Sequence, residues 1–244
     1  TKTGEQDVSS PRDPALIVST APFLRTGATT PGIMRDVILA LLPTLVAAWW
    51  FFGGRALLVV GMAILGCVLT EWAFSPKSPK WASLQDGSAV LTGLLLGLIL
   101  PPAFPLWMAF LGGVAGIGLG KVIWGGLGDN LFNPALVGRA FLQAAFPTAI
   151  TTWTLPSIEL GSLKLDLVDK TQWILSVDAI SGATPLGAMK FDGKSTESVL
   201  MLLGDVGGSL GETSALLIIL GGIYLVWRRA FDWRIPVSIL GTVA

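Results

Sequence analysis

Side chains able to do chemistry are scarce in this sequence. Histidine is absent, and the single cysteine, Cys67, lies inside an apolar block. His-ligated haem, His-based zinc sites and Ser-His catalysis are therefore excluded for this chain alone. Neither an internal disulfide nor a cysteine cluster for a metal can form. No metal site and no self-sufficient catalytic residue are expected. What remains is three polar runs that solvation by lipid does not explain.

The first run is Leu84-Gln-Asp-Gly-Ser-Ala-Val-Leu-Thr-Gly93. Asp86 stands at a helix start, where a carboxylate either caps backbone N–H groups or binds an ion or flavin. The second is Gly125-Gly-Leu-Gly-Asp-Asn-Leu-Phe-Asn-Pro-Ala135. Its turns make irregular backbone, with Asn133 as cap and Pro134 as first helical residue. Such backbone at membrane depth is tolerated where it is buried or lines a cavity, but an ordinary tight loop has the same residues. Arg139 follows in the helix and either snorkels or points inward to attract a flavin or phosphate.

The third run is Val177-Asp-Ala-Ile-Ser-Gly-Ala-Thr-Pro-Leu186. Gly182 permits an unusual backbone angle. Pro185 pushes Thr184 towards an extended conformation, so its hydroxyl stands where a modifying enzyme can reach it. Asp178 could position that enzyme or its metal. A short polar turn has the same composition.

The elements that must position these runs are membrane helices. The chain has 244 residues, 52% apolar and 13% charged, against about 25% charged in a soluble domain. Lys and Arg balance Asp and Glu at 16 each, so no nucleic-acid partner is indicated. Six apolar segments are expected at about Val37–Phe52, Ala56–Phe74, Ala89–Pro105, Leu106–Trp124, Pro134–Ile150 and Thr213–Trp227. A seventh begins near Ile235 and meets the terminus at Ala244, too short to cross a bilayer, so the chain is expected to continue. Trp49, Trp50, Trp72, Trp107, Trp124 and Trp227 fall towards segment ends, as interfacial anchors do.

Basic residues set the orientation. Lys2, Arg12, Arg25, Arg35, Lys77, Lys80, Arg228, Arg229 and Arg234 share one side, with Lys121 near it, while the opposite short loops hold only Arg55. The positive-inside rule then puts the N-terminus in the cytoplasm and the polar stretch from Thr151 to Glu212 outside. The resulting organisation is a cytoplasmic segment over 1–35, five helices over 36–150, a periplasmic segment over 151–212, and helices again over 213–244. Gly112, Gly116 and Gly120 line one helix face, and Gly93 and Gly97 another, which suits close helix packing or, alternatively, a cofactor beside bare backbone. Glu212 precedes the sixth segment, where it caps the helix or serves as a transient ion ligand.

Taken in order and spacing, the three runs, with Pro101-Pro102 and Gly208-Ser-Leu-Gly-Glu-Thr-Ser214, resemble the RnfD component of the Rnf complex and more distantly the NqrB component of the sodium-pumping NADH:quinone reductase. The likeness covers nearly the whole chain. It implies an all-α polytopic bundle with a urea-transporter-like inverted repeat, whose second half is incomplete here, and a flavin-bearing extracytoplasmic segment. It implies FMN esterified to Thr184 within a motif that includes Asp178, Ser181, Gly182 and Ala183, installed by a flavin transferase. It also implies a second, non-covalent flavin (riboflavin or FMN) near Asn133, Pro134 and Arg139. Asp86 and Glu212 are the candidates for an ion pathway. The implied role is a bacterial inner-membrane component of an ion-translocating ferredoxin:NAD+ oxidoreductase, assembled with the other Rnf subunits. The alternatives are the NqrB component of the quinone reductase, a non-redox channel or transporter, and a scaffold without cofactor.

Overall fold

The computed structural model describes residues 29–75, 81–154, 182–193, 195–204, 206–212 and 214–243. They are predominantly helical, and no β-sheet forms among them. Helices α1 (Thr30–Phe52) and α2 (Gly54–Phe74) are each long and apolar enough to cross a membrane. At 1.5 Å per residue they reach about 30 Å or more, the thickness of a hydrocarbon core. Their outward faces carry exposed Leu39, Val46, Leu65, Leu69 and Trp72. A water-facing surface would not tolerate so continuous an apolar belt, whereas lipid does.

The third expected segment does not form one span. After a short turn, α3 (Trp81–Leu84), the helix α4 (Ser88–Leu98) runs for 11 residues and stops ahead of Pro101 and Pro102, which cannot continue its ladder. The chain from Ile99 to Pro105 is irregular and yet largely buried, with Leu100 0% and Phe104 1% exposed. Its freed carbonyls find partners from elsewhere. Arg139 Nη1 donates to Ile99 O at 2.9 Å, Leu210 N to Leu100 O at 3.1 Å, and Arg55 Nη2 to Ala103 O at 3.3 Å. Non-helical backbone inside a membrane bundle persists only under such satisfaction.

Helix α5 (Leu106–Ile117) continues into a π turn at Gly118–Val122. Its wider ladder, with Ile123 N on Gly118 O at 3.1 Å, turns the following side chains relative to an α-helix. Lys121, counted with the loop cations in the sequence, is consequently buried at 3% exposure. A loop with left-handed Gly125, Gly126 and Gly128 leads to α6 (Pro134–Ala145), where Asn133 Oδ1 accepts from Ala135 N at 3.0 Å as the expected cap. Pro147 ends that helix and opens α7 (Pro147–Thr151), so the fifth segment is also split. Later in the chain come α8 (Pro185–Gly187) with a π turn at Ala188–Asp192, α9 (Ser198–Leu203), a 3-10 turn at Leu210–Glu212, α10 (Ala215–Trp227) and α11 (Arg234–Val243).

Helix α2 is the centre, packed by α4 and α5; α6 lies on α5, and α1 holds α10. The glycine faces are packing faces. A Cβ built on Gly116 would stand 2.7 Å from Pro134 O, and one on Gly97 would stand 2.7 Å from Val60 Cα. Only a residue without a side chain allows the backbones so close. Arg228, just past α10, grips Asp36 of α1 through Nη2–Oδ1 at 3.1 Å and Nε–Oδ2 at 3.2 Å. This carboxylate raises the Arg228 guanidinium above its ordinary pKa range.

Candidate functional site: a threonine-lined cavity and a buried ionic cluster

Thr184 occupies the N-cap position of α8 with φ −67° and ψ 157°, the extended conformation that Pro185 imposes. Its Oγ accepts from Gly187 N at 3.2 Å. That bond uses a lone pair and leaves the hydroxyl proton for chemistry. Gly182 N donates to Trp153 O at 3.0 Å, which fastens the approach to Thr184 against the end of α7. Gly182 is half-buried and Ala183 exposed. Asp178 and Ser181, assigned to the same motif, lie outside the described residues.

Thr184 lines a cavity of about 590 Å³ together with Arg139, Trp153, Met189, Met201 and Glu212. Among the described residues, Arg139 and Glu212 are the charged members of that lining. Arg139 stands in the body of α6, its Nη1 fixed on the Ile99 carbonyl. Asn133 and Pro134, at the start of the same helix, do not line this cavity. The sequence groups Arg139 with those two; the structure groups it with Thr184. The helix-cap role considered for Glu212 falls instead to Ser214, whose Oγ accepts from Leu217 N at 3.5 Å. Glu212 Oε2 accepts from Ser209 N at 3.2 Å, and the residue lines the cavity.

A second constellation lies around the start of α4. Lys121 Nζ donates to Glu71 Oε1 and Oε2 at 2.6 and 2.7 Å and to Ser88 Oγ at 2.6 Å. Ser83 Oγ donates to Glu71 Oε1 at 2.5 Å. Ser88 N and Oγ both donate to Asp86 Oδ1, at 2.8 and 2.6 Å. Asp86 Oδ2 is buried with no hydrogen-bond partner among the described residues. Ser88 thus links the Lys121–Glu71 pair to Asp86, a second carboxylate with no ion pair of its own among the described residues. Intramembrane charges are costly and persist where they pair or conduct.

Asp86 is legible from its place ahead of a helix: the N-cap is Gly87, and the Asp86 carboxylate takes the N–H of Ser88, the first helical residue. The polar runs do not single out Glu71, Ser83 or Lys121. A carboxylate within the apolar run of α2 is the available signal, since such a residue is rarely without a partner. Among the described residues, no group of three or more His, Cys, Asp and Glu could hold a metal. Helix α4 connects the two sites: Asp86 and Ser88 stand at its start, and the Ile99 carbonyl on Arg139 at its end.

Comparison with known proteins supplies the frame. The model of the NQR2, RnfD, RnfE family matches residues 17–244. The chain is similar to the D subunit of the proton-translocating ferredoxin:NAD(+) oxidoreductase complex of Clostridium ljungdahlii, with 39% identity over 93% of this chain and 66% of that protein. It is similar to the D subunit of the ion-translocating oxidoreductase complex of Halorhodospira halophila, with 37% identity over 91% of this chain and 67% of that protein. It is also similar to the D subunit of the Na(+)-translocating ferredoxin:NAD(+) oxidoreductase complex of Acetobacterium woodii, with 38% identity over 94% and 68%. The chain spans about two thirds of the length of these relatives. With a match over nearly its full length, and with the ordered polar runs in place, the chain belongs to the NQR2, RnfD, RnfE family.

Proposed function

We propose that this chain is a membrane subunit of an ion-translocating ferredoxin:NAD+ oxidoreductase of the Rnf type, carrying electrons through FMN esterified to Thr184. The observation that carries this reading is that Thr184 opens into a cavity walled by Trp153, Met189 and Met201, with Arg139 as its cation. An indole, two polarisable thioether side chains and one positive group suit a flavin nucleotide, which is aromatic at one end and anionic at the other. The free hydroxyl proton of Thr184 suits a phosphoester. When bound, FMN would supply the redox chemistry. The chain's own work is to tether it, orient it and set the charge around it.

The ion pathway is assigned to the buried cluster. Asp86 Oδ2 is the unsatisfied acceptor, and the Lys121–Glu71 pair is its neighbour through Ser88. Glu212, in the flavin cavity, is the second candidate ion ligand. The related proteins are named for protons in one case and sodium in another, so a monovalent cation is the assignment. A second, non-covalent flavin at Asn133 and Pro134 rests on the family resemblance alone. The Asn133 side chain is engaged as the cap of α6, and neither residue adjoins the cavity.

On this reading the chain is a multi-pass protein of a bacterial inner membrane. The distribution of basic residues supports residues 1–35 on the cytoplasmic side and 151–212 on the periplasmic side. Its partners are the other Rnf subunits, the bilayer and, during maturation, a flavin transferase.

The test is expression with a flavin transferase followed by a denaturing gel. The protein should fluoresce as a flavoprotein, and Thr184→Ala should be dark. A dark wild-type band, with the transferase shown to be active on another substrate, contradicts the reading.

A further inference from the structure

We propose that Arg139 and Glu212 are opposed electrostatic controls on the potential of the flavin held at Thr184. This rests on the assignment of FMN to Thr184. Both residues line the Thr184 cavity, and among the described residues they are the charged groups of its lining. Among the described residues no ion pair joins them within 4.0 Å, so neither charge is cancelled by the other at contact. Each is held from outside the cavity: Arg139 by Ile99 O at 2.9 Å, and Glu212 by Ser209 N at 3.2 Å. The hold on Arg139 is in the bundle. Leu100, next to its acceptor, is fully buried, so the guanidinium is a fixed charge rather than a snorkelling one.

Two-electron reduction of an isoalloxazine with uptake of one proton adds one negative charge at its N1–C2 carbonyl edge. A fixed cation in the same cavity favours that state and a carboxylate opposes it. At an effective dielectric constant of about 20, one unit charge even about 10 Å away shifts such an equilibrium by roughly tenfold. Arg139 is therefore a positioning and tuning residue for the tethered flavin. Because Ile99 directly follows α4, the same guanidinium joins the flavin cavity to the helix whose other end is flanked by Asp86 and Ser88.

The experiment is a dithionite redox titration of the whole purified complex, followed by visible absorbance. The Thr184→Ala complex is titrated alongside, so that the difference isolates the flavin on Thr184. Arg139→Gln, which retains an amide donor for Ile99 O, should lower its midpoint potential by at least about 30 mV, a tenfold change in a two-electron equilibrium. Glu212→Gln should raise it by a comparable amount, and Arg139→Lys should stay close to wild type. Potentials that are unchanged, or that move in the same direction in both charge-removing variants while the flavin remains attached, overturn the proposal. If Arg139→Gln does not assemble, Glu212→Gln alone decides by its sign. A wild-type titration identical to that of Thr184→Ala instead removes the underlying flavin assignment.

Discussion

Lys121 and Glu71, fifty positions apart in the chain, form a two-point ion pair at 2.6 and 2.7 Å with 3% and 1% of their respective residues exposed. Helix α2 brings the carboxylate and the π turn after α5 brings the ammonium. Ser83 and Ser88 take remaining hydrogen-bonding capacity on either side. A pair this dry is held by mutual need, because each charge alone would be stranded.

Removing one partner should therefore cost far more than removing both. Lys121→Met or Glu71→Met should each destabilise the fold by about 3–5 kcal/mol, and the double variant should recover most of the loss. Unfolding in detergent, followed by circular dichroism, reads both. Losses that simply add in the double variant would show that the two side chains do not depend on each other.

Asp86→Asn separates capping from conduction. The amide oxygen still accepts from Ser88 N, so the start of α4 survives, whereas the charge on the unpaired Oδ2 is gone. In proteoliposomes containing the whole complex, cation uptake per NADH formed should fall severalfold with flavin content unchanged. Uptake equal to wild type would leave Asp86 as a cap only.

The close helix contact predicts a sharp contrast between two glycines. Gly116→Ala drives a methyl group towards Pro134 O and the Gly138 backbone, which cannot move aside as a flexible side chain would. A loss of about 1–3 kcal/mol is expected, the range for overpacking a tight core. Gly222→Ala has nothing within 4 Å of the new atom and should be neutral or slightly stabilising. Thermal midpoints of the two variants, measured side by side, check this.

The helices themselves are largely legible in the sequence. Apolar length alone marks α2 and α10 within two residues, whereas α1 begins at Thr30, seven residues ahead of the expected Val37; Asn133-Pro134 announces the start of α6 as observed. The breaks are less so. The run from Ala89 to Pro105 reads as one span by hydropathy, but the helix stops at Leu98 ahead of Pro101 and Pro102, and residues 99–105 stay buried because they draw partners from Arg55, Arg139 and Leu210 in distant parts of the chain. Such satisfaction is invisible to any local pattern. The same holds for Lys121: its sequence neighbours suggest a loop cation, and only the π turn and Glu71 explain its burial. Thr184 stands out by its motif, and its extended backbone follows from Pro185. That Arg139 and Glu212 share its cavity requires three separate chain segments to be placed together.

The most direct measurement is mass spectrometry of the proteolytic peptide containing Thr184, taken from membranes of cells that also express a flavin transferase. The peptide should carry the mass of FMN less one water, with fragmentation placing it on the Thr184 oxygen. A peptide recovered quantitatively with an unmodified threonine, from a complex that transfers electrons at its full rate, would contradict the assignment.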